Sequence, residues 1–244
     1  MLTHRDKCAF ARGFVPVATV ALVLALGTGC APRRAEPPVI PQAAEAVGPR
    51  VPEGARVYLV DSVQTSISIR VYRAGPLARL GHNHLITTGE ASGVAWRGST
   101  PAASGFEVRV PVRSLVVDDP AARAEAGPDF AGEVPASARE GTYQNLMRPE
   151  VLDVERHPEI VVRSSGLAGT WASPEVSADV TLKGQTRRVE APLEIEFSDQ
   201  GLTARGALRI RQSDFGMKPF SVAGGAIQVA DEIEIVFAIV ANAR

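Results

Sequence analysis

Cysteine is nearly absent from this 244-residue chain: Cys8 and Cys30 are the only two, so no disulfide can brace anything after residue 30. Lysine is almost as scarce, with Lys7, Lys183 and Lys218 among 26 basic residues, which leaves anion recognition to guanidinium groups. An excess of either charge is also missing, since 26 Lys and Arg stand against 27 Asp and Glu. That balance excludes the basic face of a nucleic-acid binder, and no nucleic acid is expected as a partner. Aromatics make up only 5% of the chain, yet 45% of its residues are hydrophobic, which excludes a disordered solvating chain and suffices for a core. Catalytic signatures are lacking too. There is no Gly-x-Ser-x-Gly elbow, no phosphate-cradling glycine loop and no Cys-x-x-Cys, and the sequence predicts no enzyme. The carboxylate pair Asp118/Asp119 precedes Pro120 in an expected loop, where solvation is its predicted fate.

The one long apolar run is N-terminal. Arg5, Lys7 and Arg12 precede an apolar stretch from Val15 to Leu26, broken only by Pro16 and Thr19, and then Gly27-Thr28-Gly29-Cys30 follows. A basic start, a short apolar stretch and small residues read as a signal peptide over 1–29, too short for a relaxed membrane-spanning helix. Small residues directly before Cys30 resemble a lipobox, in which the cysteine is diacylated and opens the mature chain. Leu26 lies one position further from the cysteine than that pattern prefers, and the competing reading is an ordinary cut nearby that leaves a free thiol. Residues 30–55 then form a tether rich in proline (Pro32, Pro37, Pro38, Pro41, Pro49 and Pro52) without apolar periodicity. The expectation is an exported protein held on the periplasmic side of a membrane by its acyl anchor. Ala31 after the cysteine points to the outer membrane.

From residue 56 to 244 the pattern changes to period two. Phe106, Val108, Val110 and Val112 alternate with Glu107, Arg109, Pro111 and Arg113. The same alternation runs through Ile67–Val71, Val189–Phe197, Leu202–Ile210 and Ile233–Ile239, each a strand with one buried face. Shorter strands are expected at 57–60, 85–96 (a hairpin through Gly89), 160–165 and 176–182, which makes eight or nine, mostly antiparallel. Residues 118–157 break the rhythm, with short helices predicted over 121–126 and 137–146. The fold class is therefore all-β, a single sheeted domain with one short helical insertion. Periodicity leaves open whether the apolar faces fill a core or enclose a cavity.

Four stretches resemble the YceI-like (polyisoprenoid-binding) family over about residues 57–241. They are Tyr58–Ser62, Met147–Ile160, the strand–turn–strand Ala178–Val189, and Arg211–Met217 followed by Val229–Ile233. The resemblance implies an eight- to nine-stranded, lipocalin-like antiparallel barrel whose apolar lumen holds an isoprenoid or other long lipid chain. Phe106, Val108, Val110, Leu193, Ile195, Phe197, Leu208, Ile210, Ile235 and Phe237 are the expected lumen residues. Other parts of these motifs read as turn chemistry: Asp214 and Gly216 as an Asx-type turn, and Thr181, Gly184 and Thr186 as a hairpin.

Gly81-His82-Asn83-His84 departs from much of that family. If extended, His82 and His84 project to one side about 7 Å apart. They are candidates for gripping a ligand head group or, with a third donor, for holding a divalent metal. His157, Asp153, Glu155 and Asp214 are the candidate third donors. Acid–base work near neutral pH and a hydrogen-bonded loop are the other readings. His157 itself is expected to pack. The expected function is transport or storage of an apolar lipid by an envelope lipoprotein that requires no cofactor. The alternatives are a metal-binding envelope protein built on His82 and His84, and a structural adaptor.

Overall fold

The computed structural model describes residues 48–244; the signal segment, Cys30 and the tether as far as residue 47 lie outside the described residues. Residues 48–55 carry no strand, and the chain enters the sheet at β1 (Arg56–Val60). Eleven more strands follow: β2 (Ser66–Ala74), β3 (His84–Thr88), β4 (Ser92–Arg97), β5 (Gly105–Pro111), β6 (Leu115–Val117), β7 (Glu159–Thr170), β8 (Ser173–Leu182), β9 (Gln185–Phe197), β10 (Gly201–Arg211), β11 (Ser221–Val222) and β12 (Ile227–Ala243). Two helices lie between β6 and β7, α1 (Pro120–Glu125) and α2 (Ala136–Met147), as the break in alternation predicts.

Eight strands close a barrel in the order β1-β4-β5-β7-β8-β9-β10-β12, with β12 returning to β1, and every pairing is antiparallel. Closure depends on the length of β12. One of its edges pairs with β10, while the other is divided between β2 (228–238) and β1 (241–243). From β2 hangs a three-stranded arm, β2-β3-β6. The expected 85–96 hairpin is corrected here. β3 pairs with β2 and β6 while β4 pairs with β1 and β5, so both edges of each strand are already taken and the chain passes from the arm into the barrel at 89–91. β6 and β11 are too short to carry a readable alternation.

The β8–β9 turn is a two-residue hairpin. Lys183 (φ 51°) and Gly184 (φ 70°) both lie in the left-handed region, as a type I′ turn requires, and the Thr181 and Thr186 hydroxyls hydrogen-bond across it at 2.8 Å. The imidazole of His157 packs against Gly184, 2.5 Å from where a Cβ would stand. Around Asp214 the expected Asx turn is replaced by a 3₁₀ turn over Gln212–Phe215, closed by Gly216 in the left-handed region. The bracing carboxylate belongs to Asp231, which accepts from the amide (2.8 Å) and hydroxyl (2.6 Å) of Ser213.

The packed core is concentrated at one end of the barrel. Val110, Val112, Leu152, Val154, Leu182, Phe215 and Met217 are buried there, joined by Val71, Ile86 and Leu115 from the arm. Toward the other end the inward residues Leu193, Ile195 and Phe197 of β9, Leu202, Ala204 and Leu208 of β10, and Ile235, Phe237 and Ile239 of β12 are only partly buried although they lie inside a closed wall. Packing and hollowness therefore coexist along one barrel.

Candidate functional site

The inward alternation of the strands lines an apolar cavity of about 260 Å³. All ten sequence-predicted residues lie on its wall: Phe106, Val108 and Val110 from β5, Leu193, Ile195 and Phe197 from β9, Leu208 and Ile210 from β10, and Ile235 and Phe237 from β12. Val108, Val110 and Ile210 also belong to the packed core, so they mark its boundary with the hollow part. Leu146 from α2, Val151, Leu152 and Met217 come from outside the barrel strands and floor one end. This gives the helical insertion its role: it supplies side chains that a ring of strands cannot place across its own axis.

Sequence reasoning missed the opposite end. Arg97 at the end of β4 is the one charged residue on the wall among the described residues, and its guanidinium lies 4.1 Å from the Phe197 ring centroid and 4.9 Å from that of Trp171. Trp171 meets Phe197 edge-on at 5.0 Å. Such stacking suits a guanidinium that is partly desolvated. The available signal was a lone Trp at a β-turn, Thr170-Trp171-Ala172-Ser173, where solvent-facing polar residues are the rule.

The histidine pair lies away from this cavity. His84 opens β3, whereas His82 precedes the strand, and the two rings meet edge-on with centroids 4.6 Å apart instead of standing apart along an extended chain. Their third neighbour is Asp118, with one potential ligand atom from each of the three residues lying within 4.8 Å of the others. The proposed third donors are corrected by this geometry. Asp153 is engaged by Arg156 at 2.7 Å, Glu155 by Arg113, His157 stands on the Gly184 turn, and Asp214 belongs to the 3₁₀ turn after β10.

Asp118 also corrects the solvated-loop reading, for it is fully buried. Asp119 alone caps α1, accepting from the Ala122 amide at 3.0 Å, with Pro120 in the first turn. Asp118, at φ 52°, turns its carboxylate inward instead. Its Oδ1 accepts from Arg123 Nη1 (2.6 Å) and the Leu85 amide (2.8 Å), and its Oδ2 faces His84 Nδ1 at 2.7 Å. An ionised carboxylate only accepts, so His84 Nδ1 carries the proton toward Asp118, and whenever the ring is neutral its lone pair is on Nε2. Burial alone would raise the Asp118 pKa. The hydrogen bonds from His84 and Leu85, the charge of His84 and the Arg123 bond outweigh it and hold the carboxyl below the usual range. His82 is pushed below the ordinary imidazole value, first by burial and then by the charges of His84, Arg123 and Arg73, against the opposing pull of Asp118. Its Nε2 is buried without a hydrogen-bond partner.

A closed antiparallel ring around an oily cavity, floored by a helical insertion, defines a lipocalin-like barrel. The YceI-like domain family model matches residues 58–241, and the chain belongs to that family. Solved structures share the fold. BcnA of Burkholderia cenocepacia is 18% identical with a TM-score of 0.53, over 74% of this chain and 98% of its own. A polyisoprenoid binding domain from Saccharophagus degradans is 13% identical with a TM-score of 0.51, over 77% and 98% respectively. Comparison with curated proteins finds no match.

Proposed function

We propose that this protein is a cell-envelope lipoprotein that carries or stores a long apolar lipid, isoprenoid-like in character, in its barrel without chemically altering it. The observation that carries the reading is the apolar cavity inside the closed ring of strands, whose wall offers an incoming chain few polar groups beyond Thr87, Thr88, Ser104, Gln212 and Arg97. An apolar chain leaves water for such a wall with a gain of about 0.8 kcal/mol per methylene, or about 4 kcal/mol for one isoprene unit. A few units therefore outweigh an association cost of about 4–15 kcal/mol. The binding property that names the Saccharophagus degradans domain supports the choice of ligand.

Anchoring rests on the N-terminal sequence. Two or three acyl chains on Cys30 would hold the protein firmly to a membrane. Two measurements test the proposal. Organic extraction of the purified protein followed by mass spectrometry should release an apolar chain in near-stoichiometric amount; an empty extract, together with failure to bind a fluorescent polyene fatty acid, would overturn the carrier reading. Metabolic labelling with a tagged fatty acid should mark the wild-type chain and spare Cys30→Ala, and equal labelling of both would remove the anchor.

A further inference from the structure

We propose that His82 and His84 form a metal site for a borderline divalent ion, Cu(II) or Zn(II), with Asp118 as the residue that positions His84. Three observations converge on it. His84 is tied through Nδ1 to a carboxylate that is itself fixed by Arg123 and the Leu85 amide, which aims Nε2 as a free lone pair. Carboxylate–imidazole–metal relays orient ligating histidines in this way. His82 offers a buried Nε2 that no protein group satisfies, and buried polar atoms are seldom left so. The two rings already touch, with centroids 4.6 Å apart.

Two nitrogens bound to one ion at about 2.0–2.1 Å lie roughly 3.3 Å apart in a tetrahedral arrangement. One nitrogen of each ring and an Asp118 oxygen lie within 4.8 Å of one another and the ring centroids are 4.6 Å apart, so the site asks for a rotation of the His82 ring that brings its Nε2 to the ion held by His84 Nε2. The donor set also selects the ion. Arg123, 2.6 Å from Asp118, balances the carboxylate charge, so the site offers imidazole nitrogen and no net negative charge. Hard oxygen-seeking cations gain little there, whereas Cu(II) and Zn(II) favour imidazole, Cu(II) more strongly. The remaining positions on the ion fall to water. The site is separate from the barrel cavity, whose lining includes none of the three residues.

The test is titration of the purified full-length protein with CuCl₂ or ZnCl₂ by calorimetry, with electron paramagnetic resonance on the Cu(II) form. The expected result is one saturable ion per chain, tighter for Cu(II) than for Zn(II), no saturable Mg(II) or Ca(II), and nitrogen splitting from two imidazoles. His82→Gln alters a partly exposed side chain outside the strand and should abolish saturation while leaving the circular dichroism unchanged. Asp118→Asn should weaken binding by about 10–100-fold yet keep the two-nitrogen spectrum. His157→Gln should change nothing. Stoichiometric binding that survives His82→Gln, a spectrum without two nitrogen ligands, or no saturable Cu(II) in the wild type would each overturn the assignment. Lipid binding is read separately, so loss of the metal site leaves the carrier reading standing.

Discussion

Filling the cavity from its own wall separates a hollow carrier from a solid core. Ala204 on β10 faces the lumen between Ile195 of β9 and Ile239 of β12. In Ala204→Phe the new ring would occupy space comparable to one isoprene unit in a cavity of about 260 Å³. A ligand denied that space loses up to about 4 kcal/mol of transfer free energy, which is nearly 10³-fold in Kd. Because the chain can shift along the lumen, the expected loss is at least about tenfold. Folding should respond in the opposite direction: a ring entering real space buries apolar surface and stabilises by about 1–2 kcal/mol, whereas one forced into a packed core costs about 1–3 kcal/mol. The assay pairs fluorescence titration with a polyene fatty acid and thermal unfolding of the delipidated protein. Arg205→Ala is the control, since Arg205 points outward on the same strand and pairs with Glu196. Unchanged lipid affinity in Ala204→Phe would refute the lumen as the binding place. A fall in Tm would refute the hollow space at this depth.

Three further predictions concern the frame. Tyr58 is wholly buried beside Phe197 with its hydroxyl unpartnered, so Tyr58→Phe should raise stability by about 1 kcal/mol in urea unfolding; a loss would mean that the hydroxyl has a partner. Glu107, 3% exposed, accepts from both Arg109 and Arg163, and Glu107→Ala should cost about 2 kcal/mol because the mostly buried Arg109 loses its nearest anion and the emptied side-chain space is left behind. Arg163→Ala, removing the half-exposed partner, should cost about 1 kcal/mol or less, and equal losses would refute this ranking. Asp153 is held below the usual carboxyl range chiefly by the Arg156 hydrogen bond, so its contribution to stability is present above about pH 4 and is lost as pH falls below it. Asp153→Asn tolerates the φ of 52° at this position and should flatten the acid limb of the stability–pH curve, while an identical curve would show that the carboxylate plays no part.

What the sequence disclosed, and what it withheld, follows from the range of each interaction. Alternation along β5, β9, β10 and β12 is a property of neighbouring residues, so the inward face could be read directly, and all ten chosen residues line the cavity. Pairing between strands is not local. Gly89 between two apolar runs looks like a hairpin, and only the competition of β2, β6, β1 and β5 for the same edges sends β3 and β4 to different partners. The candidate metal cluster shows the same divide. His82 and His84 are conspicuous as a pair, but Asp118 lies 34 residues further along from His84 and beside a residue with an ordinary capping task. Two adjacent carboxylates before Pro120 were themselves a clue, since an N-terminus needs one cap and the second acid must find another use. The use it finds explains how the arm is held. Asp118 joins the strand Leu85 amide, the helical Arg123 and His84 at one buried point, so the carboxylate that would aim a metal ligand also fastens α1 to β3. Loss of Asp118 should therefore loosen the arm and leave the barrel, whose ring of eight strands contains neither β3 nor α1.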